Sequence, residues 1–134
     1  MPLDDMSGLV KQSLTIYDAA VKTVSENSEA KVNFYKTGLL EIDITAVSGT
    51  TPTLVVEVET SEDGTTWFHN TTVTDKKRQG NLTRLTAPTD EAKITTVSKH
   101  ITWLEKLSKY YRLALTIAGT TPSFTITAKV TSYA

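Results

Sequence analysis

The sequence predicts an all-β protein of one domain, an antiparallel β-sandwich of the jelly-roll or immunoglobulin type with about nine or ten short strands. Threonine alone makes up roughly a fifth of the 134 residues, and β-branched residues favour a pleated sheet over a helix. Several segments alternate between apolar and polar residues, which is typical of strands with one buried face. Turn residues recur at irregular spacing, which favours a two-sheet sandwich over a barrel.

The clearest strands are predicted at 39–47 and 53–61, where every second residue is apolar. The alternate residues of these strands, including Glu57 and Glu59, are predicted to face water, and Val55 is the one exception to the pattern. The connecting segment 48–52 reads SGTTP, in which glycine tolerates a positive φ and proline cannot donate to a ladder. This segment is therefore predicted to be a hairpin connection. The inward residues of the two strands are Leu40, Ile42, Ile44, Leu54, Val56 and Val58.

The same unit recurs about 70 residues later, as a strand at 111–118, the sequence GTTP at 119–122, and a strand at 123–130. A second hairpin is predicted there. The strands that follow the two prolines share a phase, but the strands that precede them do not. Because a slip of one residue turns a strand over, one copy is predicted to contain either a β-bulge or a loop of different effective length. The out-of-phase residues are Ile42 and Ile44 in the first copy and Leu113 and Leu115 in the second.

The other elements are predicted from weaker patterns. An N-terminal arm at 1–11 precedes a domain spanning 12–134, and the segment 101–107 fits either a short helix or an irregular connection. Further strands are predicted at 12–17, 21–25, 30–35, 67–74, 81–87 and 93–98, with turns at 26–28 and 62–65 and a polar loop at 75–80.

Composition disfavours several classes of function. The 14 basic and 15 acidic residues are mixed along the chain and give a net charge of -1, so neither nucleic acid nor a membrane is an expected partner. The chain has no cysteine, which excludes disulfides and thiolate metal sites. Residues 1–13 do not resemble a signal peptide, and no apolar run is long enough to span a membrane. We expect a soluble protein made in the cytoplasm.

No catalytic, cofactor-binding or metal-binding residue is predicted, and the chain is not expected to be an enzyme. His69 and His100 lack neighbours at metal-ligand spacing and are predicted to be surface or interface residues. The acidic pairs at 4–5, 62–63 and 90–91 lie in turns or tails, and Asp63-Gly64 lacks the further ligands of a calcium loop. The basic cluster 76–78 is predicted to be a solubilising loop, with contact to an acidic protein surface as the alternative.

The aromatic residues leave two interpretations open. They could form a flat platform that stacks on sugar rings, or they could fill the core, which is the prediction favoured for Trp67. Trp103 lies in the unassigned segment 101–107. The remaining candidates for the platform are Tyr35, Tyr110, Tyr111 and Tyr133.

Two stretches carry a family resemblance, SGTTPTLVVEVETSEDGTTW at 48–67 and YYRLALTIAGTTPSFTITAKV at 110–130. They resemble small structural proteins encoded by tailed bacteriophages and prophages, in which two such strand-GTTP-strand units recur in this order. The likeness covers about 39–67 and 109–130. It implies a virion component of the head or head-tail region, with no enzymatic role.

The resemblance predicts a capsid decoration, or cement, protein that binds and stabilises the shell of the major capsid protein. Such a protein would lie on the capsid surface and act as a homo-oligomer, with a trimer favoured, because symmetry multiplies small contacts. The N-terminal arm could become ordered on binding. The alternatives are a neck, tail or fibre-associated virion protein and a carbohydrate-binding β-sandwich module.

Overall fold

A computed structural model describes residues 11–33, 37–73, 93–105 and 107–133 of the chain. These residues contain no helix, and hence no helix that could cross a membrane. Seven strands form one antiparallel sheet, which confirms the all-β prediction. The strands are β1 (Lys11–Lys22), β2 (Glu26–Asn27), β3 (Lys31–Val32), β4 (Thr37–Ser61), β5 (Phe68–Thr72), β6 (Ser98–Leu104) and β7 (Tyr110–Tyr133).

Neither GTTP sequence forms a hairpin, so both hairpin predictions are wrong. Each lies inside one long strand, in β4 of 25 residues or in β7 of 24 residues. These two strands pair with each other along their whole length, from Thr37 opposite Tyr133 to Ser61 opposite Tyr110. The glycine and proline therefore mark irregularities in a continuous ladder, where the register shifts, and not the end of a strand.

The two GTTP sequences lie opposite each other in the middle of the β4–β7 pair. Thr50 pairs with Thr120, and the backbone of each motif has the same unusual conformation, with φ of +110° at Gly49 and +120° at Gly119. Thr51 and Thr121 both have φ of +48°. The repeat seen in the sequence is thus a local two-fold arrangement in space, in which each motif supplies the partner of the other.

Each half of the long strand pair has its own flanking strands. β6 pairs with β4 at 38–44, and β5 pairs with β4 at 57–60. On the other side, β1 pairs with β7 at 124–133, while β2 and β3 pair with β7 at 110–115. The described sheet is therefore four strands wide in each half. In one half the fourth position is occupied by two short strands in succession, β2 and β3.

The predicted bulge is confirmed and lies in β4. The register shifts between Ile44 and Ala46, where β4 advances by two residues while β7 advances by one, from Ile126 to Thr125. After this shift the two copies share a phase, because Val47 and Ile117 both pack against the core. The bulge explains why the first strand of each repeat has a different parity in the sequence.

The predicted inward residues of β4 are confirmed as core residues. The side chains of Leu40, Ile42, Ile44, Leu54, Val56 and Val58 are each at most 1% exposed. They belong to one hydrophobic cluster with residues of β7 that lie before and after its GTTP sequence. These β7 residues are Tyr111, Leu113, Leu115, Phe124, Ile126, Ala128 and Val130.

Several weaker predictions change. β1 continues to Lys22, so no separate strand occupies 21–25, and the predicted turn 26–28 contains β2. Ile94 forms only an isolated bridge with Leu54, in place of a strand at 93–98. The segment 101–107 is neither a helix nor an irregular connection up to Leu104, because it belongs to β6. β5 confirms the core of the strand predicted at 67–74. The arm predicted at 1–11 falls outside the described residues except for Lys11, which begins β1. The predictions for 75–80 and 81–87 fall outside the described residues entirely.

Candidate functional site

A buried ion pair joins the two long strands near one end of the sheet. Glu59 and Arg112 are direct cross-strand partners, and Glu59 Oε1 accepts a hydrogen bond of 2.7 Å from Arg112 Nε. Glu59 is only 3% exposed and Glu57 only 6%, so the prediction that these residues face water is wrong. Charged groups are buried at this depth only when partners compensate the lost hydration, and Arg112 supplies that compensation for Glu59.

Trp67 completes this cluster, which we call the Arg112 clamp and define as Glu59, Arg112 and Trp67. The guanidinium of Arg112 lies 4.1 Å from the centre of the Trp67 ring, within the range of a cation–π contact. Trp67 is partly exposed and is not a member of the hydrophobic cluster, so the prediction of core packing is wrong. The clamp links the two stretches that carry the family resemblance, since Trp67 ends the first and Arg112 lies in the second.

A tight turn places Trp67 at this position. The Asp63 carboxylate accepts hydrogen bonds from the backbone N–H groups of Thr65 and Thr66, both at 2.8 Å, and from the Ser61 hydroxyl at 3.0 Å. These hydrogen bonds, led by those from the two backbone N–H groups, hold the pKa of Asp63 well below its usual range. Gly64 has a φ of +81°, which glycine tolerates. The turn predicted at 62–65 is confirmed, and the Asp63 carboxylate satisfies the backbone N–H groups that follow it in the turn.

The two histidines are in different environments. His69 is fully buried, and its Nε2 lies 2.8 Å from Thr72 Oγ1, so the prediction of a surface or interface position is wrong for this residue. His100 is half-buried on β6, with its Nε2 2.9 Å from Ser98 Oγ. Burial lowers the pKa of His100 below its ordinary value.

A shallow depression of about 270 Å³ adjoins His100. Its lining includes the acidic residues Glu41 and Asp43. The His100 ring forms its hydrogen bond with the Ser98 hydroxyl. No group of three potential metal ligands occurs in the part of the chain that the structure describes. The full lining is Glu41, Ile42, Asp43, Lys99, His100 and Ile101.

One face of β6 presents apolar side chains to solvent. Ile101 is 69% exposed, Trp103 is 53% exposed, and Val97, just before the strand, is 62% exposed. Lys99 and Glu105 are exposed at the alternate positions between and after them. We call these five residues the β6 surface. This surface was not predicted, because no strand was assigned to 101–107. The alternation of Ile101 and Trp103 with Thr102 and Leu104, which are buried, was the available signal.

The structure does not assemble the predicted aromatic platform from its described members. Trp67 packs on Arg112, whereas Trp103 pairs with Leu39 near the opposite end of β4. Tyr111 is buried in the core, and Tyr110 is partly exposed beside the Asp63 turn. Tyr35 and the side chain of Tyr133 fall outside the description, as do the acidic pairs at 4–5 and 90–91 and the basic cluster 76–78.

Compared with protein-family models, with curated proteins and with solved structures, the chain shows no significant match.

Proposed function

We propose that this protein is a structural component of a tailed-phage virion, and specifically a decoration protein that binds the shell of the major capsid protein. One observation supports the proposal most strongly, the pairing of β4 with β7 along strands of 25 and 24 residues. A protein that holds capsid subunits together must resist forces applied at separate points on its surface. Two long strands that pair along their whole length connect the ends of the sheet through many backbone hydrogen bonds.

We also propose that the two halves of this sheet stack as the layers of a sandwich. Core residues that lie before and after the GTTP sequences of β4 and β7 belong to one hydrophobic cluster, which stacking of the two halves would explain. The hydroxyl of Thr102, on β6, donates a hydrogen bond of 3.3 Å to the carbonyl of Val73, just after β5, and these strands flank different halves of β4. Such a fold buries a large core without disulfides, as a cysteine-free chain requires.

The proposal is tested by adding the purified protein to capsids of its own phage or prophage that lack it. We expect the protein to sediment with the capsids at a saturable ratio and to raise the temperature at which the shells open. An unrelated β-protein of similar size serves as the control. Failure to sediment with expanded capsids at micromolar concentration would contradict the decoration role.

A second candidate function, carbohydrate binding, is favoured by the exposure of Trp103. Its ring lies on the same strand as Lys99, His100 and Ile101, which line the shallow depression. An exposed indole beside polar side chains is a suitable surface for stacking on a sugar ring. A glycan array tests this candidate. Trp103→Ala should abolish binding, whereas Val97→Ala, at an apolar position of similar exposure, should retain it. Equal signals from both variants would count against a sugar site.

A further inference from the structure

The strand pairings divide the chain into two interlocked units. We define the N-unit as residues 11–61, which contain β1 to β4, and the C-unit as residues 68–133, which contain β5 to β7. In the described sheet, β1, β2 and β3 pair with β7, while β5 and β6 pair with β4, and β4 pairs with β7. Every one of these pairings joins the N-unit to the C-unit. The bridge between Leu54 and Ile94 does the same.

The long strands of the two units are equivalent, because the register of β4 with β7 is symmetric about the pair of Thr50 and Thr120. On one side of this pair, Ile44 lies opposite Ile126. On the other side the strands exchange roles, and Leu115 lies opposite Val56. Twelve core residues, each at most 2% exposed, occupy equivalent positions in this way. The equivalent pairs are Leu40 and Tyr111, Ile42 and Leu113, Ile44 and Leu115, Leu54 and Phe124, Val56 and Ile126, and Val58 and Ala128.

The flanking strands repeat the same arrangement. β1 skips Ile16 in its register with β7, beside Lys129. β5 skips Asn70 in its register with β4, beside Glu59, which is the position in β4 equivalent to Lys129. β2 and β6 also take corresponding places, each beside the part of a long strand that precedes a GTTP sequence. The two units are therefore two copies of one arrangement, and each completes the sheet of the other.

We propose that the units are exchangeable between molecules, so that the N-unit of one chain completes its sheet with the C-unit of a second copy of this chain. The strand pairings need not change, because every pairing of the described sheet already joins different units. Exchange of identical elements is a low-cost route to dimers. Within one chain, a short connection gives the units an effective concentration on the order of millimolar, which favours the closed form in dilute solution.

The connection between the units is the turn at 62–67. Asp63 accepts its hydrogen bonds within this turn, and the backbone N–H of Gly64 donates to the Ser61 hydroxyl at 2.9 Å. Residues 62–65 are exposed, and none of the residues of the turn belongs to the hydrophobic cluster. Opening the turn therefore removes local hydrogen bonds and leaves the core contacts between the units available to a second chain.

Complementation between two defective full-length chains tests the exchange. Ile42→Asp places a charge in the core of the N-unit, and Leu113→Asp does so at the equivalent position of the C-unit. Each site is at most 1% exposed, so neither chain should fold alone. When the two are diluted together from urea, the intact C-unit of the first chain and the intact N-unit of the second can form one complete sheet. We expect a dimer with about half the natural near-ultraviolet circular dichroism signal per chain, because each dimer contains one complete sheet.

The matched control mixes Ile42→Asp with Val58→Asp, which is also fully buried in the N-unit. That mixture contains no intact N-unit and should stay unfolded. The recovered dimer should also melt at a higher temperature as its concentration rises, because its folding is bimolecular. Equal signals from the two mixtures would overturn the proposal.

A change in the connecting turn provides an independent test. Proline cannot adopt the φ of +81° found at Gly64 and has no N–H for Ser61, so Gly64→Pro opens the turn. We expect sedimentation equilibrium to show at least tenfold more dimer for Gly64→Pro than for Gly64→Ala, the matched control. The same association state for both variants would contradict exchange. Neither test uses capsids, so failure here would leave the proposed virion role standing, and failure to bind capsids would leave the exchange standing.

Discussion

At the scale of single residues, the two glycines of the GTTP sequences allow β4 and β7 to pair closely at this point. A Cβ atom on Gly49 would lie 2.6 Å from the Thr121 carbonyl oxygen, and one on Gly119 would lie 2.7 Å from that of Thr51. In both cases the obstacle is backbone, which cannot rotate away. The glycines are therefore required both for their positive φ and for the close approach of the two motifs.

We predict that Gly49→Ala and Gly119→Ala each lower the free energy of unfolding by about 2 to 4 kcal/mol, since backbone strain and steric overlap add. Gly64→Ala is the matched control. Gly64 also has a positive φ, but its nearest atom, on the Tyr110 ring, is 3.7 Å from the added Cβ. We expect about 1 kcal/mol for this variant in urea unfolding. Equal losses of unfolding free energy for all three variants would show that crowding between the two GTTP sequences has no effect.

Asp63 gives a prediction for pH. Its pKa is lower in the folded protein than in the unfolded chain, so its ionised form stabilises the fold above the ordinary aspartate pKa of about 4. This contribution is lost as the pH falls below that value. Asp63→Asn should therefore be less stable than the natural protein at pH 7, and the difference in Tm should shrink between pH 4 and pH 2. A difference that stays constant with pH would exclude the carboxylate as its source.

At the scale of elements, β4 shows what the sequence can and cannot reveal. The alternation of apolar residues correctly predicted the buried face, from Leu40 to Val58, because that pattern is local. The environment of Glu59 was predicted wrongly, because its partner Arg112, and Trp67 packed on that arginine, lie in other elements. The GTTP sequences have the local chemistry of a turn. They lie inside long strands because each pairs with the other GTTP sequence, about 70 residues away in the chain.

The Arg112 clamp is predicted to stabilise the pairing of β4 with β7. Arg112→Met leaves the buried Glu59 carboxylate without its cation and should lower the free energy of unfolding by about 2 to 4 kcal/mol. Glu59→Gln combined with Arg112→Met removes both charges and should cost less than Arg112→Met alone. Urea unfolding of the two single variants and the double variant provides the cycle. Additive losses would indicate that the ion pair is not coupled.

At the scale of the whole molecule, the pairing of β4 with β7 through both GTTP sequences distinguishes this fold from a chain with two hairpins. Thr50 and Thr120 are opposed in the structure, while Ser48 pairs with Ser123 and Thr53 with Ala118. A hairpin at 48–52 would instead bring Ser48 close to Thr53. The two arrangements therefore place different residue pairs within reach of a disulfide.

We predict that the double variant Thr50→Cys, Thr120→Cys forms an intramolecular disulfide on oxidation, seen by mass spectrometry as the loss of two hydrogens and a linked pair of peptides. The closed loop should also raise the Tm. Ser48→Cys with Thr53→Cys is the control and should remain reduced. Efficient oxidation of the control together with failure of the first variant would favour the hairpin arrangement.

The proposed role as a virion decoration protein is tested most directly by imaging. Capsids that lack the protein are mixed with it, and the particles are reconstructed by electron cryomicroscopy with and without imposed symmetry. We predict additional density, large enough for this β-domain, at every symmetry-related site between coat subunits. Density confined to the unique vertex would contradict decoration and place the protein at the neck or tail, and the absence of added density would contradict a capsid role altogether.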